Sequence, residues 1–258
     1  MRIRQVIAVF MIVVGTCALC HGQESFSDLT TPHFRIRFQE GVLGTKARFV
    51  GDYLEQDFGY LRKALGLEPG RIIEFRLYGT QAAFRTGTRN RQAHEVEFER
   101  GIVHVAPVGL LERNGVLAQI LSYGLSRAML EQSTHNGAPG WLAGSFAVYH
   151  SGMMADLPVP AGRRVSEFSD LTQELQEASG SSEMDRVNYL LGMTMKFFVD
   201  TFGEEQAFGL FAAFDGRTGI GTVFEERLQR PYEEVQRLWD SYLSDALENR
   251  TGDNRRGN

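Results

Sequence analysis

Apolar and polar side chains alternate through Phe34, Arg35, Ile36, Arg37 and Phe38, the period of a strand with one buried face. The rhythm changes after the glycines at 41 and 44. Phe49, Val50, Tyr53, Leu54, Phe58, Leu61 and Leu65 recur at three- and four-residue intervals, which predicts an amphipathic helix over residues 46–65. Gly66 and Pro69-Gly70 close it. A second strand is predicted over 72–78, then a short helix opening at Gly79-Thr80 with Ala82, Ala83 and Phe84, then a polar loop over 85–92. Residues 95–99 and 101–106 predict two further strands joined by a turn.

From there the period is helical. Helices are predicted over 110–132, 141–153, 168–177, 185–202, 204–214, 220–228 and 232–249. Ser166, just before Glu167, is suited to capping one of them, and Pro231 to opening the last. The expected fold class is therefore α+β. A sheet-rich half over 31–108 precedes a helical half over 109–248, the two making one domain from residue 23, and a polar tail covers 249–258. Asn249-Arg250-Thr251 has the form of a glycosylation acceptor, a pattern too common to weigh much.

The first 22 residues stand apart. Arg2 and Arg4 precede an apolar run from Val6 to Val14, and small residues follow at Cys20 and Gly22. This layout predicts a secretory signal peptide cut before Gln23, and an exported, periplasmic or extracellular protein with no stable membrane insertion afterwards. Leu19 directly precedes Cys20 and Thr16 directly precedes Cys17, so neither cysteine is well preceded by the Leu-small-small pattern of a lipid-attachment site, and lipidation stays as a minor alternative. With 43% hydrophobic and 23% charged residues in 258, the chain is ample for one buried core. The only two cysteines leave with the leader, so the mature chain needs that core in an oxidising compartment. Losing two of 27 cations against 32 anions takes the net charge from −5 to −7, which argues against a nucleic-acid partner. A monomer is the default, since no long heptad seam is present.

Two stretches carry the chemistry. The first is Val116-Leu117-Ala118-Gln119-Ile120-Leu121-Ser122-Tyr123; the second is Trp141-Leu142-Ala143-Gly144-Ser145-Phe146-Ala147-Val148-Tyr149. With Leu77-Tyr78-Gly79-Thr80, Phe202-Gly203 and Trp239-Asp240-Ser241-Tyr242-Leu243, in that order along most of the mature chain, they resemble the peptidase MA-like, gluzincin-type zinc metallopeptidases. That resemblance implies a zincin-like fold and an active-site helix carrying His-Glu-x-x-His, with a third ligand from the next helix. By position, Gln119 stands at the first histidine, Ile120 at the catalytic glutamate, Tyr123 at the second histidine and Gly144 at the third ligand. An amide is a poor zinc ligand, and a phenol with a pKa near ~10 binds well only after losing its proton. Isoleucine takes no proton from water, and glycine has no side chain. The expectation is a pseudopeptidase without zinc or any other cofactor, binding a peptide or protein in the former cleft at Gln119, Ile120, Tyr123, Trp141 and Gly144. The peptide would lie beside the edge formed by the strands at 95–106.

Other chemistry is thinly supplied. No two of His33, His94, His104, His135 and His150 are four apart on a helix. His33, His94 and His104 fall on or beside strands, where satisfied structural or surface roles are expected. Ala143-Gly144-Ser145-Phe146-Ala147 faintly resembles a nucleophile elbow but lacks both flanking glycines. The alternative is thus a hydrolase built on Ser145 with His150, or on a rearranged set of metal ligands.

Overall fold

The alternating stretch becomes the second strand of a five-stranded mixed sheet. In the computed structural model, which describes residues 25–89, 95–158, 167–178 and 180–253, the strands are β1 (Phe26–Thr30), β2 (Phe34–Gln39), β3 (Ile73–Leu77), β4 (Val96–Glu99) and β5 (Ile102–Val105). Their order is β1-β2-β3-β5-β4. β2, β3 and β5 run parallel, while β1 and β4 pair antiparallel at the two edges. Register sorts the side chains by face. Phe34, Ile36, Ile73, Phe75, Leu77, Val103 and Val105 are all buried on one side. Arg35, Arg37, Glu74 and Arg76 occupy the other, where Arg37 pairs with Asp28 at 3.1 Å and Arg76 with Glu74 at 2.7 Å. These carboxylates offset the repulsion of Arg37 and Arg76, which sit directly opposite one another across the β2–β3 pair.

Helix α1 (Gly44–Leu65) is the crossover from β2 to β3 and covers the apolar face with Ala47, Val50, Leu54, Phe58, Leu61 and Leu65. Gly66 ends it at φ 64°, a conformation that favours glycine. Phe49 departs from the predicted stripe and is 57% exposed. The predicted loop at 85–92 begins late, because α2 (Gln81–Gly87) continues two residues past Arg85, with the Thr80 hydroxyl accepting from the Ala83 amide as its cap.

The single helix predicted over 110–132 is two, α3 (Val108–Arg113) and α4 (Leu117–Ser133), broken where Gly115 takes φ 74°. α4 lies against the sheet, and α5 (Gly140–Ser151) lies beneath α4, buried along Trp141 to Val148. A helix apolar on every side belongs in the middle of a core, and α7 (Ser181–Phe202) covers its far face. The predicted end of α5 at 153 falls in a separate 3-10 turn, Met153–Asp156, after Gly152 at φ 73°. α6 (Phe168–Glu177), α8 (Glu204–Gly209), α9 (Ile220–Leu228) and α10 (Tyr232–Asp253) complete the helical half. The segment predicted as one helix over 204–214 is α8 followed by a 3-10 turn at Phe211–Ala213. α6 is capped by Glu167 and Asp170 in a reciprocal box; Ser166, His94 and the expected leader lie outside the described residues. Among those residues, no helix is long and apolar enough to cross a membrane.

Candidate functional site

The first turns of α4 form one wall of a cleft, and the edge strand β4 forms another. Gln119, Tyr123 and Arg127 follow at four-residue spacing, so they share one face of α4. Ile120 is turned further inward and is 3% exposed. The cleft holds about 520 Å³, with Glu95, Gln119, Ile120, Asp156, Asp185 and Asn188 among its lining residues. A smaller hollow of about 180 Å³ adjoins it under β4, lined by Phe98, Ile120, Tyr123, Leu175 and Met184. The far wall is the 3-10 turn together with the start of α7.

Each side chain is fixed by a named contact. The Gln119 amide donates to Asp156 Oδ2 at 2.8 Å, tying α4 to the 3-10 turn. The Tyr123 ring tilts against Phe98 with centroids 6.2 Å apart. Arg127 places its guanidinium 5.5 Å over the Phe98 ring and donates to Glu131 at 3.3 Å, while its Nε has no partner among the described residues. Burial works against the Arg127 charge, but Tyr123 and Glu131 beside it outweigh that and hold its pKa above the usual guanidinium value. A Cβ built on Gly144 would stand 3.5 Å from Arg127 Nη1 and 3.2 Å from Leu191 Cδ1.

Gln119, Ile120 and Tyr123 therefore come together at the cleft, and the other two expected residues do not line it. Trp141 is 4% exposed and stacks on Phe168 at 4.6 Å, deep in the helical half. Gly144 is buried between α4 and α7, facing Arg127 and Leu191. The donors available here are an amide, a phenol and separated carboxylates, and no group of three or more His, Cys, Asp or Glu among the described residues is placed to hold a metal ion.

The Ser145–His150 pair does not form. Ser145 Oγ donates to the Trp141 carbonyl at 2.8 Å with no exposure at all. The His150 imidazole donates through Nε2 to Asp57 Oδ1 at 2.8 Å and lies between Phe146 and Tyr60. Asp57 also accepts from Ser122 Oγ at 2.7 Å, and the Tyr53 hydroxyl reaches Ser122 at 2.8 Å. A serine nucleophile needs an imidazole on its hydroxyl; the Ser145 hydroxyl is on a carbonyl, and between Ser122 and His150 stands the Asp57 carboxylate. This Tyr53–Ser122–Asp57–His150 chain joins α1, α4 and α5. No sequence spacing announces it, because its members are 65 and 93 residues apart.

Two other histidines have structural settings. His33 donates through Nδ1 to Glu55 at 2.7 Å, and its main-chain amide and the Thr31 hydroxyl donate to the same carboxylate. Partial burial would raise the Glu55 pKa, but these bonds overcome it and hold the group below the ordinary glutamate value. His104 is fully buried, with Nδ1 2.7 Å from the Tyr78 hydroxyl and Nε2 unpartnered among the described residues.

No model of a known protein family matches the chain, and a search of curated proteins finds no match either.

Proposed function

We propose that the chain is a zincin-like pseudopeptidase that binds an extended peptide in the cleft between β4 and α4 without cleaving it. The observation that carries this reading is a strand edge with no further strand paired to it among the described residues, running over a cleft whose floor is Gln119, Ile120 and Tyr123. In an antiparallel pair, inward- and outward-facing main-chain groups alternate. The Ala106 amide donates to the Glu95 carbonyl, so Glu95, Glu97 and Glu99 turn their main chain toward β5. Val96 and Phe98 turn theirs to the open edge, where an added strand finds donors and acceptors. Below it, Gln119 and Tyr123 supply neutral polar groups, and neither they nor Ile120 can activate water or hold zinc as the resembled enzymes do.

The test uses a set of labelled extended decapeptides and the chain from Gln23 onward. Gln119→Ala combined with Tyr123→Ala is expected to weaken the best binder about tenfold, the scale of two lost hydrogen bonds. Unchanged affinity for every binder overturns the reading. Elemental analysis of protein purified without chelator is expected to find zinc far below one per chain, together with no cleavage of unstructured protein. Stoichiometric zinc would reopen the enzyme.

A further inference from the structure

The two hollows differ in kind, and the difference specifies what fits them. The large one carries Glu95, Asp156 and Asp185, and among the described residues no lysine or arginine lines either hollow. None of these three carboxylates is in an ion pair among the described residues. Asp156 accepts from Gln119, but a neutral amide leaves its charge intact. The opposing field comes from α4 and α7, whose N-terminal ends reach the rim at Val116 and Ser181. Each helix end amounts to roughly half a positive charge. Among the described residues, three carboxylates against about one positive charge leave the cleft lining negative. The small hollow is mainly apolar, with Phe98, Ile120, Leu175 and Met184 prominent and Glu95, Glu97 and Asn188 in the minority.

A strand added to β4 sends alternate side chains the same way, about 7 Å apart. The adjoining hollows can thus take successive inward side chains. Resting on the peptide-binding reading, we infer that the ligand is a cationic extended peptide of the form basic-x-apolar. Its lysine or arginine lies among Glu95, Asp156 and Asp185, and its apolar residue fills the hollow beside Ile120 and Tyr123. Charge complementarity selects the first position and shape the second.

Fluorescence anisotropy on the chain from Gln23 onward tests this with three labelled decapeptides that differ only at the two inward positions: Lys-x-Leu, Glu-x-Leu and Lys-x-Glu. Lys-x-Leu is expected to bind at least about tenfold more tightly than either alternative at low salt, with the preference over Glu-x-Leu shrinking as ionic strength rises. Asp156→Asn with Asp185→Asn should abolish that preference. Glu225→Gln with Glu226→Gln, an equal change of charge on exposed positions of α9 away from the cleft, should leave it. Equal affinity for the lysine and glutamate peptides overturns the inference while leaving peptide binding in place, as does an equal loss from both variant pairs. If no peptide of any charge binds, the peptide-binding reading falls and takes this one with it.

Discussion

His104 sits on an interior strand with no exposure, one ring nitrogen on the Tyr78 hydroxyl and the other unpartnered among the described residues. Burial pushes its pKa below the ordinary histidine value, with Arg76 adding to the effect. The folded chain therefore holds this group neutral while the unfolded chain takes up a proton near pH ~6.5. Its contribution to stability is complete above that pH and is lost as pH falls toward the depressed folded value. Urea denaturation at pH 7.5 and pH 5 is expected to show a drop that shrinks in His104→Gln, and NMR titration should place the imidazole below a model histidine. A titration at or above the model value would contradict this. At this scale the shared helix face of Gln119 and Tyr123 was legible in the sequence, because helical periodicity alone puts neighbours four apart on one face. Trp141 and Gly144 pack against Phe168 of α6 and Leu191 of α7, surroundings that no local pattern reveals. Asp57 was missed for the same reason.

Elements were legible where pattern and punctuation agreed. α6 and α9 begin and end where their apolar period and flanking residues indicate. β1 was missed because FSDLT hardly alternates; pairing with β2 and the Asp28 contacts to Arg35 and Arg37 hold it. The α3–α4 break was missed because the apolar spacing continues through it, and only the φ of Gly115 reveals the turn. α4 approaches the sheet at Gly124, where an added Cβ would lie 2.9 Å from Val103 Cγ1. Gly124→Val is expected to cost about 2–3 kcal/mol by forcing the helix off the strand, measured as a lowered urea midpoint. Asp57→Ala, which takes the acceptor from His150 Nε2 and leaves the Ser122 hydroxyl with Tyr53 alone, should cost about 2–3 kcal/mol by the same measurement. A loss below 0.5 kcal/mol, the scale of an ordinary surface change, would mean the network is solvated and idle.

Over the whole molecule, distant parts of the chain complete one core. Trp239 of α10 lies 4.8 Å from Phe168 and donates to Thr194 at 3.1 Å, and Phe168 stacks on Trp141. Trp239→Ala is expected to cost about 3–5 kcal/mol and to shift the intrinsic emission toward the red as Trp141 gains solvent. The α+β order of a sheet followed by helices was legible from periodicity, whereas the sheet order was not, since it depends on crossovers. Arg127 links the two halves, reaching from β4 to the back of α5. Suppose Gln119→His, Ile120→Glu, Tyr123→His and Gly144→Glu were made together to build the zinc site that the proposed function takes to be lost. The new carboxylate at 144 would meet a guanidinium that cannot give up its proton, and an arriving dication would be repelled. Calorimetry should detect zinc binding only once Arg127→Gln is added. On the reading proposed above, this makes the change of trade a ratchet: each ligand regained singly gives no benefit, so a lineage that has placed an arginine there has closed the way back.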